Sequence, residues 1–204
     1  MQSKEHWDNV YSSKPTDGVS WYQEHAESSL RLIQQSGVSS SANIIDVGGG
    51  ASTLIDDLIA DGFTRLNVLD LSAAALAATK QRLGSRATEV NWIVGDITEI
   101  SLPPLSYDVW HDRAVFHFLT GEAERAAYVE AVLRCVKPGG FVIVATFSED
   151  GPTHCSGLPV KRYTADELHD EFGTPFELLR HEKEEHHTPF GTTQNFVYCF
   201  CRKN

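Results

Sequence analysis

The chain has 204 residues, of which 28 are acidic and 17 basic, for a formal net charge of -11. That length fits one domain with one core, and the negative balance argues against duplex nucleic acid as a partner, because phosphate neutralisation by basic side chains supplies most of that affinity. No apolar run approaches the roughly 20 residues of a membrane span and the N-terminus does not read as a signal peptide, so a soluble, cytoplasmic protein is expected.

In chain order, an aromatic N-terminal arm comes first, with His6, Trp7 and Tyr11 followed by Trp21 and Tyr22. Apolar runs at 43–47, 66–69, 90–94, 107–110 and 140–146 read as strands. They alternate with helical stretches, which predicts a parallel sheet covered on both faces. Residues 52–62 carry Leu54, Ile55, Leu58 and Ile59 on one stripe, residues 72–83 open on Ser72 as N-cap, and 122–136 carry Ala126, Val129, Val132 and Leu133 at helical spacing. Thr164 and Glu167 form a capping box for a short helix to Phe172, and strands over 176–184 and 195–202 close the chain as a hairpin. Pro138 and the glycines after it stop one element and turn into the next.

The densest signal is the passage Asn43-Ile-Ile-Asp-Val-Gly-Gly-Gly-Ala-Ser52, a buried strand ending in a glycine-rich turn and a helix start. Such a turn lets the backbone approach a ligand and offers unpaired N–H groups, though by itself it serves nicotinamide, flavin and nucleoside cofactors alike. Asp46, Asp70 and Asp96 fall at the carboxyl ends of successive strands, where ligands of open α/β sheets bind. Each could otherwise be a turn residue.

Taken together, Asp46-Val-Gly-Gly-Gly50, Asp70, Gly95-Asp96-Ile97, Val136-Lys-Pro-Gly-Gly140 and the terminal hairpin resemble the class I (Rossmann-like) S-adenosylmethionine-dependent methyltransferase superfamily. The resemblance implies a doubly wound α/β fold with a seven-stranded, mostly parallel sheet. It implies one methyltransferase domain over 1–204, divided into an arm (1–41), a cofactor-binding core (42–147) and an acceptor-side segment (148–204). It also implies roles for individual residues. Asp46 and the backbone of Gly48 and Gly50 would face the methionine portion of S-adenosylmethionine, Asp70 with Leu71 the ribose, and Asp96 with Ile97 the adenine. By the same resemblance His111, Asp112 and Arg113 would border the methionine and the acceptor; separately, aromatic faces attract cations, so Trp21 or Tyr22 would be well placed near the sulfonium, with packing of the arm on the domain edge as the alternative.

Methyl transfer from a sulfonium mainly requires orientation and a dry site, so a base matters only for an acceptor that arrives protonated. His117 is the candidate general base, with His111 beside it; the alternative for His117 is a packing role between Phe116 and Phe118. Asp112 and Arg113 could form an ion pair that fixes the loop. The Trp-Asp-x-x-Tyr opening resembles a branch that includes protein-lysine methyltransferases, whose Lys-Gly-Thr-Phe-Asp string is replaced here by Arg113-Ala-Val-Phe-His117. An imidazole in place of that carboxylate suits a hydroxyl or thiol better than an ammonium. The expected reaction is therefore transfer to a small-molecule acceptor. A protein lysine is the first alternative, a nicotinamide-dependent oxidoreductase the second, and a binding protein without catalysis the third. The four cysteines are expected to be reduced thiols, and no metal site is expected.

Overall fold

A computed structural model describes residues 4–13 and 15–204. The few remaining positions of the arm lie outside the described residues. Among those described, seven strands form one sheet in the order β3-β2-β1-β4-β5-β7-β6. These are β1 (Asn43–Val47), β2 (Arg65–Asp70), β3 (Val90–Val94), β4 (Tyr107–Arg113), β5 (Val136–Phe147), β6 (Phe176–His187) and β7 (Thr193–Lys203). The first five run parallel, and β7 enters antiparallel between β5 and β6. This is the class I methyltransferase arrangement expected above.

Among the described residues six α-helices flank the sheet: α1 (Lys4–Ser13), α2 (Glu27–Gln35), α3 (Leu54–Ala60), α4 (Ala73–Leu83), α5 (Glu122–Cys135) and α6 (Ala165–Phe172). Strand side chains alternate between faces, so each strand feeds two cores. On one side Ile44, Val109, Ile143 and Tyr198 pack with Leu32 and Ile33 of α2 and the apolar stripe of α3. On the other, Ile45, Trp110, Val144 and Val197 pack with Tyr128 and Val132 of α5 and Leu168 and Phe172 of α6. Ser72 caps α4 by accepting the Ala75 N–H, and Thr164 with Glu167 closes the capping box of α6.

Three expectations need correction. The helix α5 turns Tyr128, Ala131, Val132 and Cys135 inward and leaves Ala126 and Leu133 exposed. Its phase follows a buried polar contact: the Tyr128 hydroxyl donates to Asp112 Oδ2 (2.6 Å) and accepts from Trp110 Nε1 (3.0 Å). The strand β5 starts at Val136, ahead of the glycines. Finally, β4 continues to Arg113, so His111, Asp112 and Arg113 belong to the sheet instead of a loop beyond it.

Candidate active site

Along β4 the alternation sends His111 and Arg113 to the α2 side of the sheet and Trp110 and Asp112 to the α5 side. Next to β4, Asp46 of β1 stands in register with His111. The His111 ring is bonded at both nitrogens, Nδ1 to Asp46 Oδ1 at 2.7 Å and Nε2 to Ser29 Oγ at 2.8 Å. The other Asp46 oxygen, Oδ2, is buried and has no hydrogen-bond partner. Buried polar atoms are nearly always paired, so an orphaned carboxylate oxygen beside a cavity marks a place for a donor from a ligand.

Two cavities meet at this point. The larger, about 830 Å³ including space open to solvent, runs over the carboxyl ends of β2 and β3, where Asp70, Leu71, Asp96 and Ile97 form its floor, and then beneath α1 to Phe118 and Cys155. The smaller, about 530 Å³, lies over Asp46, Gly49 and His111 under residues 19–26 of the arm. Tyr11, Trp21, Gly48 and Arg113 line both.

The glycine turn explains how the strand end stays open. Gly48 sits at φ +73, and a Cβ there would stand 1.9 Å from Val115 Cγ2. A Cβ on Gly49 would meet Asp46 Oδ2 at 2.1 Å. Gly50 lines neither cavity. Its N–H donates to Asp70 Oδ2 (2.9 Å), and the Ser72 N–H donates to Asp70 Oδ1 (2.7 Å), so the two amides aim the carboxylate. Burial, with Asp46 and Asp8 adding to it, nonetheless pushes the Asp70 carboxyl up to about 6 against those two hydrogen bonds. Asp96 Oδ1 accepts from the Thr98 N–H and hydroxyl, which holds the turn after β3.

Arg113 ties three segments together. Its Nε donates to the Tyr198 hydroxyl (3.0 Å), Nη1 to the Trp21 carbonyl (3.2 Å) and Nη2 to Glu184 Oε1 (2.8 Å), with the guanidinium 4.1 Å from the Phe196 ring centroid. Against the upward pull of burial, the Arg113 charge and hydrogen bond hold the Glu184 carboxyl below the usual carboxylate range. Arg113 therefore pairs with Glu184, not with Asp112, because neighbouring residues of a strand face opposite ways. Asp112 lines neither cavity. It accepts from the Val115 and Phe116 N–H groups and from Tyr128, fixing the turn that follows β4, and burial pushes its carboxyl up to about 6.

His117 also lies outside both cavities. It is fully buried, its Nδ1 accepts the Phe147 N–H (3.3 Å), and the ring packs on Phe118 and Phe147. Burial, aided by the Arg113 charge, drops its pKa to about 3, so it stays neutral. His117 thus lines neither cavity, and its packing on Phe118 and Phe147 favours the packing alternative over the general-base role.

Several cavity residues carry no sequence pattern. Ala114 adopts φ +73, a left-handed conformation rare outside glycine, and lines the larger cavity. A glycine occupies that position of the string in the branch compared above, which is the one sequence signal for it. Ser29 reaches His111 from a helix 82 residues away in sequence, which no local pattern reveals.

This sheet arrangement, with carboxylates at or just past the ends of β1, β2 and β3, is the one found in class I S-adenosylmethionine-dependent methyltransferases. Comparison with known proteins agrees: residues 44–140 match the family model for a methyltransferase domain. Over 97% of this chain and 84% of the relative's length, the sequence is 26% identical to EEF1A lysine methyltransferase 2 of Danio rerio. N-methyltransferase NodS from Bradyrhizobium japonicum WM9, solved with S-adenosyl-L-homocysteine, superposes at a TM-score of 0.74 with 14% identity, covering 99% of each chain. A structure described for conversion of a disulfide bond into a thioacetal group during echinomycin biosynthesis gives 0.77 with 18% identity, covering 98% of this chain and 92% of that one. The family model and these relatives support an S-adenosylmethionine-dependent methyltransferase.

Proposed function

We propose that the protein transfers the methyl group of S-adenosylmethionine to a small-molecule acceptor held beneath the N-terminal arm, with residues 1–204 acting as one unit. The observation that carries this reading is that one end of the larger cavity is walled by buried side chains. Trp7, Phe118 and Cys155, which wall it, are 7%, 8% and 4% exposed. A compartment walled by buried side chains suits a compact acceptor and keeps water from the electrophilic methyl group that the cofactor supplies.

In this reading Asp46 Oδ2 receives the ammonium of the methionine portion, with the backbone of Gly48 and Gly49 beside it. Asp70 accepts from the ribose hydroxyls, and Leu71, Asp96 and Ile97 hold the adenine. A carboxylate with both oxygens already aimed by backbone amides is well suited to two vicinal hydroxyls, since it accepts without donating. His111 acts as a positioning residue that sets the Asp46 carboxylate, and Trp21 and Arg113 form the wall where the two cavities join, which is where the methyl group would sit.

One observation favours a second reading: the Danio rerio relative at 26% identity is named a lysine methyltransferase of EEF1A. Transfer of isotope-labelled methyl groups separates the two. Label recovered in a small compound from a screen of thiols, phenols, carboxylates and amines supports the first reading. Label recovered only in lysine-containing peptides or protein overturns it. An oxidoreductase predicts a thermal shift with NADH instead of S-adenosylhomocysteine, since a ligand bound only by the native state raises the melting temperature.

A further inference from the structure

The acceptor end of the larger cavity has aromatic walls and, among the described residues, no histidine. Trp7 packs edge-on to Phe118 at 5.1 Å and to Trp21 at 5.8 Å, and Tyr11 meets Trp21 at 6.2 Å between centroids. All four rings line the cavity. The titratable groups around them are engaged. His111 is bonded at both ring nitrogens, and both Asp70 oxygens accept from backbone amides. Glu124 closes the capping box of α5 through the Gly121 N–H. Burial raises the Tyr11 phenol and pushes the Cys155 thiol up to about 12, so both keep their protons. Among the described residues that line this cavity, a hydroxyl acceptor finds no imidazole and no ionised thiol or phenol to take its proton.

The charges point the same way. Among the described residues, Asp46, Asp70 and Asp96 line the two cavities together with Arg113, whose charge Glu184 already matches. A negative field with aromatic faces stabilises a cation and opposes an anionic acceptor.

We propose, resting on the methyltransferase reading above, that the acceptor atom is an amine nitrogen that enters uncharged, and that the ring cluster of Trp7, Tyr11, Trp21 and Phe118 holds the ammonium formed. The nitrogen lone pair forms the new N–C bond while the S–C bond breaks, its electron pair remaining on sulfur. Positive charge thus moves from sulfur to nitrogen without a base, and any N–H proton of the product leaves afterwards to water. The walls are complementary to the charge at its destination, where stabilisation accelerates the transfer.

The test uses the full-length protein saturated with S-adenosylhomocysteine and calorimetric titration with benzyltrimethylammonium and its uncharged carbon isostere, neopentylbenzene. The cation is expected to bind at least 10-fold more tightly. Trp21→Leu should remove most of that preference and Trp21→Phe should retain it, with Phe118→Leu as a second aromatic deletion should Trp21→Leu fail to fold. Equal or weaker binding of the cation overturns the proposal. Labelled methyl transfer adds a second readout on matched benzyl compounds: transfer to the alcohol or carboxylate in preference to the amine also overturns it. Failure of S-adenosylhomocysteine to bind would instead remove the assignment of this cavity to the cofactor. Label found only on a protein lysine would leave an amine acceptor standing and overturn the small-molecule reading.

Discussion

His111 Nδ1 and Asp46 Oδ1 are 2.7 Å apart across the β1 and β4 register, in side chains only 2% and 3% exposed. One oxygen of Asp46 is thereby held inside the protein, and the other is left facing the glycine turn. Removing the imidazole leaves a buried carboxylate with neither oxygen paired. For His111→Ala we expect a loss of about 3 kcal/mol in stability, the scale for breaking a buried pair from one side. We also expect at least 10-fold weaker S-adenosylhomocysteine binding, read by urea denaturation and calorimetry.

Asp70 should make cofactor affinity depend on pH. Its carboxyl titrates at about 6 in the folded protein, and the ionised form is the acceptor for ribose hydroxyls. Affinity for S-adenosylhomocysteine should fall roughly 10-fold per pH unit below about 6, and Asp70→Ala should abolish that dependence along with tight binding. Stability of the ligand-free protein responds with opposite sign. Because the folded value is raised above the unfolded one, the folded state binds more protons between about pH 4 and 6. The contribution of Asp70 is therefore lost as pH rises through that window. Thermal melts of wild type and Asp70→Ala across that range measure the difference.

The buried His117 should matter for folding more than for turnover. His117→Leu is expected to keep kcat within about threefold while lowering stability by about 2 kcal/mol, since it removes ring contacts and the acceptor for the buried Phe147 N–H. A drop of two orders of magnitude in kcat at normal cofactor affinity, the scale for losing a positioned base, would refute its packing role.

Glu184 balances a guanidinium that the fold has buried. Glu184→Gln should destabilise by about 3 kcal/mol through the uncompensated Arg113 charge. Because Arg113 also holds the Trp21 carbonyl, the arm should become more sensitive to limited proteolysis near residue 21.

Ala114 offers a stabilising change. Its φ of +73 costs an L-residue about 1 kcal/mol or more, part of which glycine recovers before its larger unfolded-state entropy is counted. Ala114→Gly should raise stability by about 0.5 kcal/mol, checked by chemical denaturation.

Fold class was legible in the order of the elements, because apolar runs separated by helical periodicity allow few arrangements besides a parallel sheet. The positions of Asp46, Asp70, Asp96 and the glycine turn were legible for the same reason: strand ends in such a sheet face one edge. The neighbourhood of β4 was not. Whether Asp112 and His117 reach a ligand depends on how far that strand runs and on which face each residue meets. An extension of three residues turned a presumed loop into alternating sheet positions.

By itself, the sequence determined the succession of strands and helices, the carboxylates at the strand ends and the glycine turn, because local periodicity and turn chemistry act over a few residues. Only the tertiary structure decided that His111 serves Asp46, that Arg113 is neutralised by Glu184 and that His117 is sealed away. Those outcomes depend on pairings across 65, 71 and 30 residues of chain, which side-chain packing creates and no local pattern encodes.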